Sequence, residues 1–164
     1  TGDLLAWLNS DDYYLPNAFE NVAALLGDGS EPRLAYGSTI ARTEATGEER
    51  LWPAPPFDRE ALKSRALIYQ PSAFWTRALW QKTGELNIAQ HFTLDWDWFL
   101  RASAHCDFQR IEAPLSVYRF HDAHKTGSGS PRRNEEIFGC LSLTEQKQLA
   151  AMLDRVITHA KERP

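Results

Sequence analysis

Four consecutive polar residues, Asn9-Ser10-Asp11-Asp12, follow directly after the apolar run Leu4–Leu8. This pattern predicts a buried strand whose C-terminal end presents carboxylate and amide oxygens, the ligands that Mg²⁺ and Mn²⁺ prefer. In open α/β sheets, ligands bind just beyond the C-terminal ends of strands. Asn, Ser and Asp are also common in turns, because their side chains bond to nearby backbone. On these residues alone, a plain turn is favoured over a metal site.

A second pair of carboxylates, Asp95 and Asp97, lies at the start of a predicted helix. Residues two apart on a helix point to different faces, so one reactive site cannot easily use both. Asp97 precedes Arg101 by four residues and can form an ion pair with it. Asp95 can cap the helix, so each residue also has an ordinary structural interpretation.

A cationic cluster follows the last predicted strand. Neutral imidazole binds metals and cationic side chains hold phosphate oxygens, although a single His is usually an ordinary surface or core residue. The members of this cluster are Arg119, His121, His124 and Lys125.

Length and composition limit the class of protein. A chain of 164 residues can form one domain with a core, and 43% hydrophobic and 24% charged residues are ordinary for a globular protein. A net charge of -4 argues against a general nucleic-acid binder. Cys106 and Cys140 fit neither a disulfide framework nor a zinc site, and no run approaches the ~20 apolar residues that span a bilayer. A reducing, cytoplasmic location is predicted.

Periodicity, capping and turn signals predict alternating strands and helices. The predicted strands are 4–8, 33–42, 49–52 and 72–76, with an extended segment over 107–120 that Pro114 interrupts. The turn at Thr46-Gly47 predicts that 49–52 pairs back on 33–42 as a hairpin. The predicted helices are 16–26, ended by Gly27; 57–64, capped near Asp58; 77–83, ended by Gly84; and 95–105. Two C-terminal helices follow, which begin at Pro131 and at the capping box Ser142–Glu145. The chain divides into a main part, 1–130, and a helical extension, 131–164.

Four segments, taken in order, resemble the family 2 glycosyltransferases: Thr1–Pro16, Gln70–Trp80, Leu94–Arg101 and Tyr118–Thr126. The first is similar to the DxD-type segment of that family. The resemblance implies an α/β chain with part of a GT-A (nucleotide-diphospho-sugar transferase-like) fold, in which helices flank a mixed sheet and a helical tail follows. Because the chain opens directly on a strand, it also implies the C-terminal part of such an enzyme, without the N-terminal βαβ region.

The resemblance also implies roles for individual residues. Asp11 and His121 would hold Mn²⁺ or Mg²⁺, with Asn9 standing where the family motif usually has its first Asp. Asp95 would be the general base, preceded by Leu94 where the family usually has Glu. The residues implied in substrate binding are Asn9, Asp12, Gln70, Trp96, Arg119 and Lys125.

The activity implied is inverting transfer of a sugar from a nucleotide-sugar donor to a hydroxyl of a saccharide or other acceptor, as in polysaccharide biosynthesis. The chain has no Gln-x-x-Arg-Trp motif of processive synthases, which favours single additions. An unpaired strand edge would favour a homo-oligomer, and the acceptor could bring the protein to a membrane surface. The isolated chain is predicted to be inactive or nearly so. Two hypotheses stay open beside this one: a non-catalytic binding or scaffolding module, and a different metal-dependent transferase or hydrolase.

Overall fold

The computed structural model describes residues 2–121, 131–141, 146–147 and 150–151 of the chain. Six strands form one mixed sheet: β1 (Leu4–Ala6), β2 (Tyr13–Tyr14), β3 (Leu34–Thr43), β4 (Glu49–Trp52), β5 (Ala73–Thr76) and β6 (Gln109–Phe120). Their order is β1-β5-β3-β6-β2, and β4 pairs with β3 as the predicted hairpin. β3 and β6 are parallel, and the other neighbouring pairs are antiparallel. The prediction of an α/β chain with a mixed sheet is confirmed.

Helix ends follow the predicted capping chemistry at several positions. The helices of the described residues are α1 (Ala18–Leu26), α2 (Arg59–Leu62), α3 (Arg77–Thr83), α4 (Leu94–Ala102), α5 (Pro131–Cys140) and the 3₁₀ helix Gln70–Ser72. The Asp58 side chain accepts from the backbone N–H of Ala61 at the start of α2. Gly27 and Gly84, with φ of 66° and 81°, end α1 and α3, since glycine adopts this backbone without strain.

Two predicted boundaries in the first half of the chain are wrong. α1 begins at Ala18 rather than Pro16, because Asn17 adopts a left-handed backbone with φ of 65° directly before it. The predicted buried strand 4–8 is shorter and lies at the edge of the sheet, where β1 is half-buried to exposed. An edge strand has one paired side in the described structure, so its apolar residues need not be fully covered.

Two predicted boundaries in the second half are also wrong. α4 begins at Leu94, after Thr93, so Asp95 lies inside the first turn and does not cap the helix. β6 continues through Pro114, which is opposite Ser38 at a register shift between β3 and β6. The irregular register lets the strand continue where proline cannot donate a ladder hydrogen bond.

Apolar residues pack on both faces of the sheet. Leu34 and Tyr36 of β3 belong to a large cluster with residues of α2, α3 and α4, whereas Ala35 belongs to a smaller cluster with α1. Adjacent strand residues point to opposite faces, so this alternation places helices on both sides of β3. α5, which begins at the predicted Pro131, packs against the large cluster through Ile137 and Cys140, and Leu141 directly after it does the same.

The capping box at 142–145 lies outside the described residues, as does most of the last predicted helix. Among the residues that the structure does describe, no helix has the length and apolar character needed to cross a membrane.

Candidate functional site

A cavity of about 490 Å³ lies beyond the C-terminal end of β1. Three segments that are far apart in sequence reach it: the loop after β1, the 3₁₀ helix after Tyr69, and the start of α4. Among the predicted site residues, Asn9, Asp11, Gln70 and Asp95 line this cavity. The sheet therefore gathers candidate groups from three of the four segments on which the family resemblance rests.

The acidic loop, Asn9–Asp12, is a turn, as its simpler interpretation predicted: the N–H of Asp12 donates to the carbonyl of Asn9 at 3.1 Å. Asp12 is only 8% exposed, and its Oδ1 accepts from the backbone N–H of Arg119 at 3.0 Å. Burial raises the pKa of Asp12 against this hydrogen bond. Asp12 is not among the cavity-lining residues and instead anchors the acidic loop to β6.

The side chain of Arg119, on β6, also holds the acidic loop. Its guanidinium donates to the carbonyl of Asp11 at 3.2 Å and makes two hydrogen bonds of 2.9 Å to the Glu44 carboxylate. These contacts fix the geometry of the loop, and Arg119 does not line the cavity. The structure therefore places this predicted substrate-binding residue beside the site, in a supporting position.

Asp11 and His121, the predicted metal pair, are in contact. Asp11 Oδ2 and His121 Nε2 are 2.9 Å apart, and this hydrogen bond is the main cause that lowers the pKa of Asp11. With Asp11 ionised, Nε2 donates the shared proton. Asp11 lines the cavity, whereas His121 does not.

The spacing of these two atoms also fits a shared cation. A carboxylate oxygen and an imidazole nitrogen are both metal donors, and these two could hold one cation in place of the proton that they now share. Within the described residues, no group of three or more His, Cys, Asp or Glu side chains could hold a metal. Mg²⁺ usually needs only one or two protein carboxylates when substrate phosphates complete its coordination. The residues present therefore fit a metal that binds together with a diphosphate.

Gln70 connects the 3₁₀ helix to the end of β1. It is 8% exposed, its Nε2 donates to the carbonyl of Trp7, and its Oε1 accepts from Asn9 Nδ2 at 3.5 Å. These bonds use part of the polar capacity of Gln70 and Asn9. Both residues still line the cavity, so they remain candidates for ligand contact.

A buried set of hydroxyls supports the same 3₁₀ helix. Ser72 Oγ is 2.7 Å from both Thr39 Oγ1 and Ser116 Oγ, and 2.8 Å from the carbonyl oxygen of Ser38. Ser72, Thr39 and Ser116 are fully buried. The network ties the segment that carries Gln70 to the central pair of strands, β3 and β6.

Asp95 lines the cavity from the first turn of α4, where its Oδ1 accepts from the N–H of Trp96 at 2.8 Å. Asp97 is not a cavity residue, and it forms the predicted ion pair with Arg101 at 3.0 Å. The expectation that the two carboxylates point to different faces is confirmed. His91, Phe92 and Leu94 continue the cavity lining along the same segment.

An aromatic wall, made of Trp52, Tyr69, Tyr118 and Phe120, forms another side of the cavity. The ring of Trp52 lies 5.1 Å from Tyr69, 5.7 Å from Tyr118 and 5.5 Å from Phe120, measured between centroids. None of these four residues was predicted from the sequence as a site residue. One signal was present, since Tyr118 and Phe120 are two apart in a strand and therefore share a face.

Trp96 is not brought to the cavity. It is 6% exposed, belongs to the large core cluster, and donates from Nε1 to the carbonyl of Leu62 at 2.7 Å. A buried indole with its N–H satisfied is well suited to packing. Lys125, the remaining predicted substrate-binding residue, lies outside the described residues.

Comparisons with known proteins assign no family to the chain. No protein-family model matches it, and no curated protein is significantly similar in sequence.

Proposed function

We propose that the cavity is the site of an inverting glycosyl transfer from a nucleotide-sugar to an acceptor hydroxyl. The observation that carries this proposal is the meeting of Asp11 and Asp95 in one cavity that also has polar and aromatic lining. Glycosyl transfer needs a base for the acceptor and a separate site for an anionic leaving group. An arrangement with the two carboxylates on opposite faces of the sheet would have excluded it.

Asp95 is the proposed general base. The acceptor oxygen forms a bond to the anomeric carbon while the bond from that carbon to the diphosphate oxygen breaks, and the acceptor proton moves to the Asp95 carboxylate. Attack opposite the leaving group inverts the anomeric configuration. The nucleoside diphosphate departs with the electron pair of the broken bond, so no further reactant is required.

Asp11 and His121 are the proposed holders of the diphosphate end, through Mn²⁺ or Mg²⁺. When bound, such an ion supplies Lewis-acid stabilisation of the charge that develops on the departing diphosphate. Arg119 and Asp12 keep the acidic loop in place through their bonds to each other and to Asp11. Asn9 and Gln70 offer uncharged donors and acceptors for sugar or ribose hydroxyls.

The aromatic wall fits the sugar end of the proposed ligands. Pyranose rings have an apolar face of C–H groups, and large aromatic rings such as Trp52 and Tyr118 present complementary apolar surfaces. The polar side of the cavity would then receive the hydroxyls. This distribution suits a saccharide acceptor better than a small, fully polar one.

A binding or scaffolding module without catalysis is the second candidate. Two observations favour it. Asn9 stands where the family motif usually has its first Asp, and the described part of the site offers a metal two protein donors, Asp11 and His121. The same polar and aromatic lining could hold a saccharide without reacting with it.

The test is an assay of the natural protein with a panel of nucleotide-sugars, with measurement of both nucleoside diphosphate release and sugar transfer. Asp95→Asn should lower kcat by about 10²–10⁴-fold, because the amide cannot accept the acceptor proton. Asp97→Asn is the matched control, two residues away and outside the cavity, and should leave kcat within about twofold.

Normal kcat in the Asp95→Asn protein would refute the assignment of the base. No turnover of any donor, together with saccharide binding that requires Trp52, would refute the transferase and favour the binding module.

A further inference from the structure

One carboxylate of α5 is bound by three consecutive backbone N–H groups of the segment that precedes α4. Glu136 accepts from His91 at 2.9 and 2.8 Å through its two oxygens, from Phe92 at 2.6 Å, and from Thr93 at 3.3 Å. Its side chain is only 10% exposed. Charge-assisted bonds of this kind are stronger than those between neutral groups, so this contact is a strong local constraint.

Arg132, one turn earlier on α5, holds both the carboxylate and the same segment. Its Nε donates to Glu136 at 2.9 Å, and one of its terminal nitrogens donates to the carbonyl of Ala89 at 2.9 Å. On the other side, Ile137 and Cys140 pack against the large core cluster. α5 is thus attached to the core by apolar contacts and to residues 89–93 by polar ones.

The bonded segment is the cavity wall itself. His91 and Phe92 line the cavity, and Leu94 and Asp95 follow immediately. Thr93, at the N-cap of α4, makes no side-chain cap hydrogen bond. Glu136 therefore supplies, from another helix, the negative charge that an N-terminal helix end favours.

We propose that Glu136 is a positioning residue that fixes the Asp95 side of the cavity through the N–H groups of residues 91–93. In this arrangement Arg132 orients the Glu136 carboxylate, and the carboxylate orients the first turn of α4. Loss of the contact frees the segment and displaces Asp95 from the acidic loop. The structural half of this proposal, that Glu136 holds residues 91–93, does not depend on the transferase activity. The functional half, its consequence for turnover, rests on the proposed function.

The structural half is tested on this chain by amide hydrogen exchange, resolved by NMR, in Glu136→Gln. The variant keeps the shape of the side chain but places an amide against backbone donors. Exchange at Phe92 and Thr93 should become at least about tenfold faster, because local opening costs less free energy. Glu135→Gln, an exposed neighbour on the same helix, is the matched control and should leave these amides unchanged. Unchanged exchange in Glu136→Gln would overturn the proposal.

The functional half is tested in the natural protein, well below the unfolding temperature of each variant. Glu136→Gln should lower kcat at least about tenfold with the donor KM nearly unchanged, since an interaction that counts in the transition state is impaired. A lower unfolding temperature with unchanged kcat would mean that Glu136 is purely structural and would overturn its positioning role.

Two further outcomes are also decisive. If the unsubstituted protein transfers no sugar, the proposed function fails, and the amide exchange alone decides whether Glu136 holds the wall. If Glu136→Gln does not fold, Arg132→Gln takes its place, because it removes the support of the carboxylate and the bond to Ala89. Faster exchange at Phe92 in that variant supports the proposal, and unchanged exchange overturns it.

Discussion

The two sides of the cavity are held in place in different ways. The acidic loop is bonded to β6 inside the sheet, through Asp12, Arg119 and the contact of Asp11 with His121. The segment before α4 is instead bonded to Glu136, on a helix that packs from outside the sheet. Both sides carry a candidate reactive carboxylate, but only the first shares the hydrogen-bond ladder of the central strands.

This difference indicates which side of the cavity is released more easily. A loop fixed by a central strand is released only when the sheet itself is disrupted, and sheets unfold with the core. A wall fixed by one carboxylate can be released by changing one side chain. We therefore expect both regions to contribute to global stability, and mutations in α5 to loosen the Asp95 side before the whole fold opens.

The largest effect on stability is expected from Glu136→Gln, which should lower the free energy of unfolding by about 1.5–3 kcal/mol at pH 7 as bonds to a charged group are lost. Burial alone would raise the pKa of Glu136, but the N–H groups of Phe92, His91 and Thr93, with Arg132, lower it from 4.5 to about 2. A carboxyl with a lowered pKa stabilises the fold fully above 4.5 and loses this contribution as the pH falls through about 2.

Urea unfolding of both proteins at a series of pH values measures this difference, which should be constant at neutral pH and shrink below pH 4.5. The charged and titratable groups near Glu136 include Arg132 and Cys140 on its own helix and His91 on the facing segment. They are identical in both proteins, so the difference between the two proteins reports on Glu136. A difference that stayed unchanged down to pH 2 would contradict the assigned bonds.

Gly37→Ala tests the side held by the sheet. A Cβ at this position would lie 2.6 Å from Leu115 Cγ and 2.7 Å from the carbonyl oxygen of Ala113, so β3 and β6 would have to separate. The cost should be about 1–3 kcal/mol in the free energy of unfolding. Gly139→Ala on α5 is the control, since its Cβ meets nothing within 4 Å, and it should be neutral or stabilising by up to about 1 kcal/mol. Equal stabilities of the two variants would show that β3 and β6 can accommodate a Cβ at position 37 without loss of stability.

Asp11→Ala should weaken Mn²⁺ binding at least about tenfold, because one of the two protein donors is lost. Isothermal calorimetry measures the affinity, with and without a nucleoside diphosphate. Asp28→Ala removes a carboxylate from an exposed loop, where Asp28 bonds to Ser30, and serves as the control. Equal Mn²⁺ affinity in Asp11→Ala and the unsubstituted protein would refute the metal assignment.

The smallest effect is expected from Glu44→Gln. The carboxylate pairs with Arg119 through two bonds, but both side chains are about one-third exposed. Pairs of this kind contribute little to the free energy of unfolding, and salt weakens them. Chemical unfolding at low and high ionic strength measures the contribution. A large loss that salt does not reduce would mean that the acidic loop depends on Arg119 more than on the buried Asp12.

Local signals predicted the elements of the fold well. The cap at Asp58, the stops at Gly27 and Gly84 and the hairpin over 49–52 were all predicted, because each depends on residues close in sequence. The edge position of β1 could not be predicted in this way. It depends on pairing with β5, about seventy residues later, and on the order of the whole sheet.

The site shows the same division between local and distant causes. The turn at Asn9–Asp12 and the Asp97–Arg101 pair follow from short-range spacing. The aromatic wall depends on the register of β4, β3 and β6, and the bond from Glu136 to Phe92 joins residues with no local relation. The orientation of the Trp96 side chain was likewise decided by packing, because the sequence pattern of α4 alone does not fix it.

The hydrogen bonds of the buried Ser72 must run in fixed directions, because its hydroxyl has a single proton to donate. Its hydroxyl has three oxygen neighbours but only one hydrogen to donate, and the carbonyl of Ser38 can only accept. When the proton goes to that carbonyl, Thr39 and Ser116 must both donate to Ser72, so the polarity of the network is fixed by valence. Alanine at position 72 would leave three groups without this partner, and a thiol would be too large and too weak a hydrogen-bonding group to replace it. The hydrogen bonds of Ser72, with their fixed directions, therefore help to hold Gln70 beside the cavity.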